Sequence, residues 1–83
     1  MLAPDEKKVL RALTKEASFG YTLLSRTGLT TDQLQAAVGN LVDRGLVGIQ
    51  GDGYGEQFLK AFLYVPPAAQ GMAEYYLADL DAR

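Results

Sequence analysis

Between Gly28 and Gly45 the chain carries its strongest local folding instructions. Thr30-Thr-Asp-Gln33 matches a capping box, in which the threonine hydroxyl and the glutamine side chain each satisfy a free backbone donor at a helix start. Leu34, Val38, Leu41 and Val42 follow at spacings of three and four, which stacks them along one face of a helix. Gly45 stops that helix directly after Arg44, a cation suited to the exposed carbonyl end. Upstream, residues 21–27 read as a short helix burying Leu23 and Leu24, closed by Gly28 in a left-handed conformation. Downstream, residues 46–50 have strand character. A short helix, a tight turn, a longer helix and an immediate strand leave few folds open to a chain of this size.

The flanks extend the pattern. Pro4 followed by Asp5 and Glu6 is a favourable helix start, because the acids complement the free N–H groups of the first turn. A helix over 5–16 then buries Val9, Leu10 and Leu13 and turns Lys7, Lys8, Arg11 and Lys15 outward. Ser18-Phe-Gly20 reads as a break. Gly51-Asp-Gly-Tyr-Gly55 reads as a turn, and 58–65 as a second strand joined to the first by a loop of about seven residues. That strand is apolar on both faces, with Phe58, Phe62 and Tyr64 opposite Leu59, Ala61, Leu63 and Val65. A small hairpin buries one face, so part of this surface is expected to meet a second subunit. Pro66-Pro67 ends the strand, and a final helix over 68–80 carries Met72, Tyr75, Tyr76, Leu77 and Leu80. The 83 residues make one domain without repeat or linker.

Composition closes several functional routes. Cysteine and histidine are both absent, which removes thiol chemistry, the commonest general base and the commonest zinc ligands. No metal and no cofactor is expected. Gly51 to Gly55 lacks the spacing, lysine and following helix of a phosphate-cradling loop. Carboxylates such as Glu74 and Asp79 have no cleft to share, so the chain does not read as an enzyme. Ala61-Phe-Leu-Tyr-Val65 is far short of the ~20 apolar residues that cross a bilayer, and the N-terminus has no signal-like apolar region. The expectation is a soluble cytoplasmic protein with no membrane partner. Charge is divided: residues 1–28 hold five cations against three carboxylates, and residues 29–83 hold three against seven.

Three helices, a β-hairpin and a closing helix describe an α+β, mainly α, winged helix-turn-helix. The chain resembles bacterial winged-helix transcriptional regulators in three places. Thr27-Gly-Leu-Thr30 resembles their turn between helices 2 and 3. Leu41-Val-Asp-Arg-Gly-Leu-Val47 resembles their exit from the recognition helix into the wing. Tyr64-Val-Pro-Pro-Ala-Ala-Gln-Gly71 resembles their return from the wing into a final helix.

The resemblance implies a regulator that binds double-stranded DNA as a homodimer, with helix 3 in the major groove. On that reading Thr31, Gln33, Gln35, Ala36 and Asn40 face bases, and Arg26, Arg44 and Lys60 touch phosphates. Met72, Tyr75, Tyr76 and Leu80 pair subunits, setting half-sites roughly 34–36 Å apart. Amides suit adenine, whose N6 and N7 they can engage together. Ala36 departs from the family, which often has arginine there; Gly39 offers no side chain, and Asp32 repels phosphate. Asp52 and Glu56 flank Tyr54 at the wing tip, where relatives often carry lysine or arginine. The same fold also serves as a protein-protein interaction module without DNA binding, and the acidic wing and apolar strand suit that alternative.

Overall fold

Leu10, Leu23, Leu34, Leu41 and Leu63 are fully excluded from solvent, and the chain is arranged around them. The computed structural model describes residues 2–81, with side chains described through residue 78. In chain order the elements are α1 (Pro4–Lys15), β1 (Ser18–Phe19), α2 (Gly20–Thr27), α3 (Thr31–Asp43), β2 (Gly48–Gln50), α4 (Gly55–Phe58), β3 (Phe62–Tyr64), a 3-10 turn (Pro67–Ala69) and α5 (Gln70–Asp81). Helix α1 packs against α2, α3 and α5, and its buried face is the Val9, Leu10, Leu13 stripe expected from the sequence.

The ends of α3 follow from local chemistry. Thr30 Oγ1 accepts the Gln33 N–H at 3.1 Å, and Gln33 Oε1 accepts the Thr30 N–H at 3.0 Å. At the other end Gly45 has φ +77°, its N–H donates to the Val42 carbonyl, and the Leu46 N–H donates to the Leu41 carbonyl, both at 2.9 Å. This pair of bonds is a Schellman motif, which satisfies carbonyls the helix would leave open. Leu34, Ala37, Val38 and Leu41 point inward.

Two sequence expectations need correction. Ser18-Phe-Gly20 is more than a break: Ser18 and Phe19 form an edge strand, and α2 begins at Gly20. The second strand is also shorter than expected. It covers Phe62–Tyr64, and the residues before it form the helical turn α4, so the wing loop spans 51–61. Phe58, read as a strand residue, is 1% exposed and sits in the core from that turn. The carbonyls of Leu59 and Ala61 accept the Tyr21 and Gly20 N–H groups, each at 2.9 Å, so backbone partners outside the hairpin fix this segment. Burial from a helical turn and burial from a strand leave the same run of apolar letters.

The sheet is antiparallel with strand order β1-β3-β2, pairing Phe19 with Phe62 and Gln50 with Phe62 on either side. Leu63 faces the core, whereas Phe62 and Tyr64 lie half-buried on the opposite face. There Phe19 stacks on Tyr21 at 5.9 Å and meets Phe62 edge-on at 5.3 Å, and Tyr64 lies 6.3 Å from Phe62. Gly48 keeps this face closed, because a Cβ there would run into the Tyr64 ring. The apolar excess of 58–65 therefore has internal partners: Phe58, Ala61 and Leu63 in the core, Phe62 and Tyr64 in the aromatic row. Among the described residues no helix is long and apolar enough to cross a membrane.

Candidate nucleic-acid interface

Burying the leucine stripe of α3 leaves its other side outward. Asp32, Gln33, Ala36, Gly39, Asn40 and Asp43 are exposed, and Thr31 and Gln35 are half-buried. Thirteen residues at ~1.5 Å rise place Thr31 and Asp43 about 18 Å apart along the axis. The outward side divides in two. Asp32, Gln33, Ala36 and Asn40 form a shallow cleft with the start of α1, including Ala3, Asp5 and Glu6. Gln35, Gly39 and Asp43 border a second cleft with the wing residues Ile49, Gly53 and Tyr54.

Each of the three amides proposed to face bases is held by the protein itself. Gln33 spends its carbonyl oxygen on the helix cap. Gln35 Nε2 donates to the Gly53 carbonyl at 3.1 Å, tying helix to wing across eighteen residues of sequence. Asn40 Nδ2 donates to Glu6 Oε2 at 2.9 Å. Gln33 keeps its donors, and Gln35 and Asn40 keep their acceptors and one N–H each. These contacts position the amides without covering them, since Gln33 and Asn40 stay exposed and Gln35 is only partly covered.

Glu6 had no site role in the sequence reading. It lies 7% exposed, with Oε1 accepting the Ala3 N–H at 3.1 Å and Oε2 holding Asn40. The capping pattern that would have flagged it is incomplete, because Ala3 stands where a serine or threonine would accept in return. Asp52 has a local job at the wing tip, where its Oδ1 accepts the Tyr54 N–H at 3.0 Å and shapes the turn. Tyr54 is itself largely exposed.

The expected phosphate contacts do not form one patch. Arg26 is exposed at the end of α2, its Nη1 making a long 3.5 Å bond to the Glu16 carbonyl. It lines a cleft with Lys8, Arg11 and Lys15 of α1. Lys60 is exposed in the turn after α4 and not in a strand. Arg44 lines a different hollow with Pro66, Ala69 and Met72, next to the start of α5. Helix α3 itself contains no lysine or arginine and carries Asp32 and Asp43.

The expected dimer residues also divide. Met72 and Tyr75 are 54% and 69% exposed and share a shallow hollow with Gly71. Tyr76 is half-buried and packs against the core, with its ring edge-on to that of Tyr75 at 6.0 Å. Leu80 lies outside the residues whose side chains are described.

No protein-family model matches the chain, and no curated protein matches it either. Solved structures do. BpsR of Bordetella bronchiseptica, described as a protein whose DNA binding is regulated by 6-hydroxynicotinic acid, superposes with a TM-score of 0.76 at 17% identity, covering 98% of this chain and 57% of that one. ZitR of Lactococcus lactis gives 0.75 at 11% identity, covering 99% and 55%. NMB1585, a MarR family regulator from Neisseria meningitidis, gives 0.73 at 18% identity, covering 98% and 56%. The likeness shows the winged-helix fold. The chain spans only a little over half the length of these proteins.

Proposed function

We propose that this chain is the duplex-DNA-binding part of a transcriptional regulator, with α3 entering the major groove. The observation that supports it most is the outward side of α3, bare of covering structure between α1 and the wing and carrying amides already positioned by neighbouring elements. A pre-positioned amide loses less rotamer freedom on meeting a base edge. Thr31, Gln33, Gln35, Ala36 and Asn40 would face bases, with Gly39 allowing close backbone approach. Arg26 and Lys60 would contact phosphates. Arg44, expected at a phosphate, lines a hollow with Met72 near the start of α5 and would instead lie near a subunit junction. Met72 and Tyr75 would form the centre of a homodimer contact, a pairing that spaces two copies of α3 for two half-sites.

The test is a titration of the chain against random-sequence duplex at two salt concentrations. A DNA-binding chain loses affinity with salt, log K falling by about 0.9 per phosphate contact for each unit of log salt. No binding at ~50 mM salt would remove this reading in favour of a protein-docking module.

A further inference from the structure

Helix α3 supplies no cation, yet neutralising phosphates carries most sequence-independent affinity for DNA. We infer that the cleft between α1 and α2 is the clamp for the DNA backbone flanking the α3 site, an assignment that rests on the reading of α3 as a groove reader. The cleft is about 350 Å³ and is lined by Lys8, Arg11, Ala12, Lys15, Arg26 and Thr27. No aspartate or glutamate is among these described lining residues. Four of the chain's eight lysines and arginines therefore border one cleft.

Lys8, Arg11 and Lys15 are spaced by three and four residues, so they form one stripe along α1. Ala12, between them, leaves the floor open. Arg26 comes from the opposite wall, its Nη1 3.5 Å from the Glu16 carbonyl at the end of α1. Helix dipoles explain cations in a last turn, which accounts for Lys15 and Arg26. They do not explain Lys8, which sits in the body of α1.

The position fits the task. Thr27 on the cleft wall and Thr31 at the start of α3 are four residues apart. A chain extended at ~3.6 Å per residue keeps them within about 14 Å. That is well under one duplex turn of about 34 Å, so the cleft wall and the start of α3 lie within reach of a single turn of DNA. The charge matches as well: a positive cleft on an acidic chain repels acidic surfaces least at this one place.

The experiment compares the salt dependence of duplex binding for the full chain and for the double variant Lys8→Gln/Lys15→Gln, with Lys7→Gln as a single-charge change outside the cleft. Both replaced cleft lysines are exposed, and circular dichroism checks that the fold persists. The double variant should bind with a log–log slope shallower by about 1.8, and Lys7→Gln should leave the slope unchanged. A slope equal to that of the unaltered chain overturns the clamp while leaving α3 as a DNA reader, and so does lower affinity at constant slope. An unchanged slope together with tripolyphosphate raising Tm only in the unaltered chain would reassign the cleft to a small polyanion. If the unaltered chain binds no duplex at all, the proposed function and the clamp fail together.

Discussion

Asn40 on α3 donates a hydrogen bond to the carboxylate of Glu6 on α1, thirty-four residues away in sequence, at 2.9 Å. The same carboxylate closes the start of α1 by accepting the Ala3 N–H. One largely buried acid thus fixes both a helix start and the orientation of an amide on the candidate reading face.

This arrangement predicts unequal costs for its two members. Glu6→Ala removes a cap and an interhelix bond and should destabilise by about 1–2 kcal/mol. Asn40→Ala opens Glu6 to water and should cost only about 0.5–1 kcal/mol. Urea unfolding of both single variants and the double variant should give a coupling near 1 kcal/mol. A coupling indistinguishable from zero would mean the contact adds nothing in solution.

Two glycines should respond in opposite directions to alanine. At Gly20 a Cβ would lie 2.6 Å from the Phe58 carbonyl oxygen and 2.9 Å from the Leu59 Cα. Both are backbone atoms that cannot swing aside, so Gly20→Ala should destabilise by about 1–3 kcal/mol and loosen the wing from α2. Gly39 sits within α3 with nothing inside 4 Å of the added carbon. Gly39→Ala should stabilise by about 0.5–1 kcal/mol, because it removes only unfolded-chain freedom. Thermal melts of the two variants should shift to opposite sides of the unaltered chain.

Ser18 places a buried hydroxyl on the inner side of β1 with no hydrogen-bond partner among the described residues. Ser18→Ala keeps the shape of the site and removes that unsatisfied group, so it should be neutral or stabilising by up to about 1 kcal/mol. A loss of stability above that size in chemical denaturation would mean the hydroxyl is bonded in solution.

The subunit contact can be tested without disturbing the core. Met72→Ser/Tyr75→Ser changes two exposed residues and should yield a folded monomer by sedimentation if α5 pairs copies of the chain. Tyr76→Ser, on the inward side, should instead lower stability. Were the double variant to sediment like the unaltered chain as a dimer, the contact would have to lie elsewhere.

Residues close together in sequence set most of what could be read in advance. The capping pair Thr30 and Gln33, the left-handed glycines at 28 and 45 and the apolar stripes of α1 and α3 act over a few residues. Caps and left-handed glycines mark helix ends through neighbouring residues alone, so those helices end within a residue or two of where the letters place them. The helical turn at Gly55–Phe58 was hidden, because its apolar run satisfies a strand as well as a helix. What separates them is the pairing of the Leu59 and Ala61 carbonyls with the N–H groups of Tyr21 and Gly20 respectively, about forty residues earlier in the chain.

For the candidate site the division has the same cause. The amino-acid sequence determined which side chains α3 displays, since helical periodicity alone separates Leu34 and Leu41 from Gln33 and Asn40. Only the tertiary structure decided what those side chains are bonded to, and which cations stand together. Glu6 meets Asn40, Gly53 meets Gln35, and Lys8, Arg11 and Lys15 meet Arg26 because separate elements dock at particular angles. Hydrogen bonds and charge clusters between distant elements depend on that docking. The local propensities that specify each helix contain no information about it.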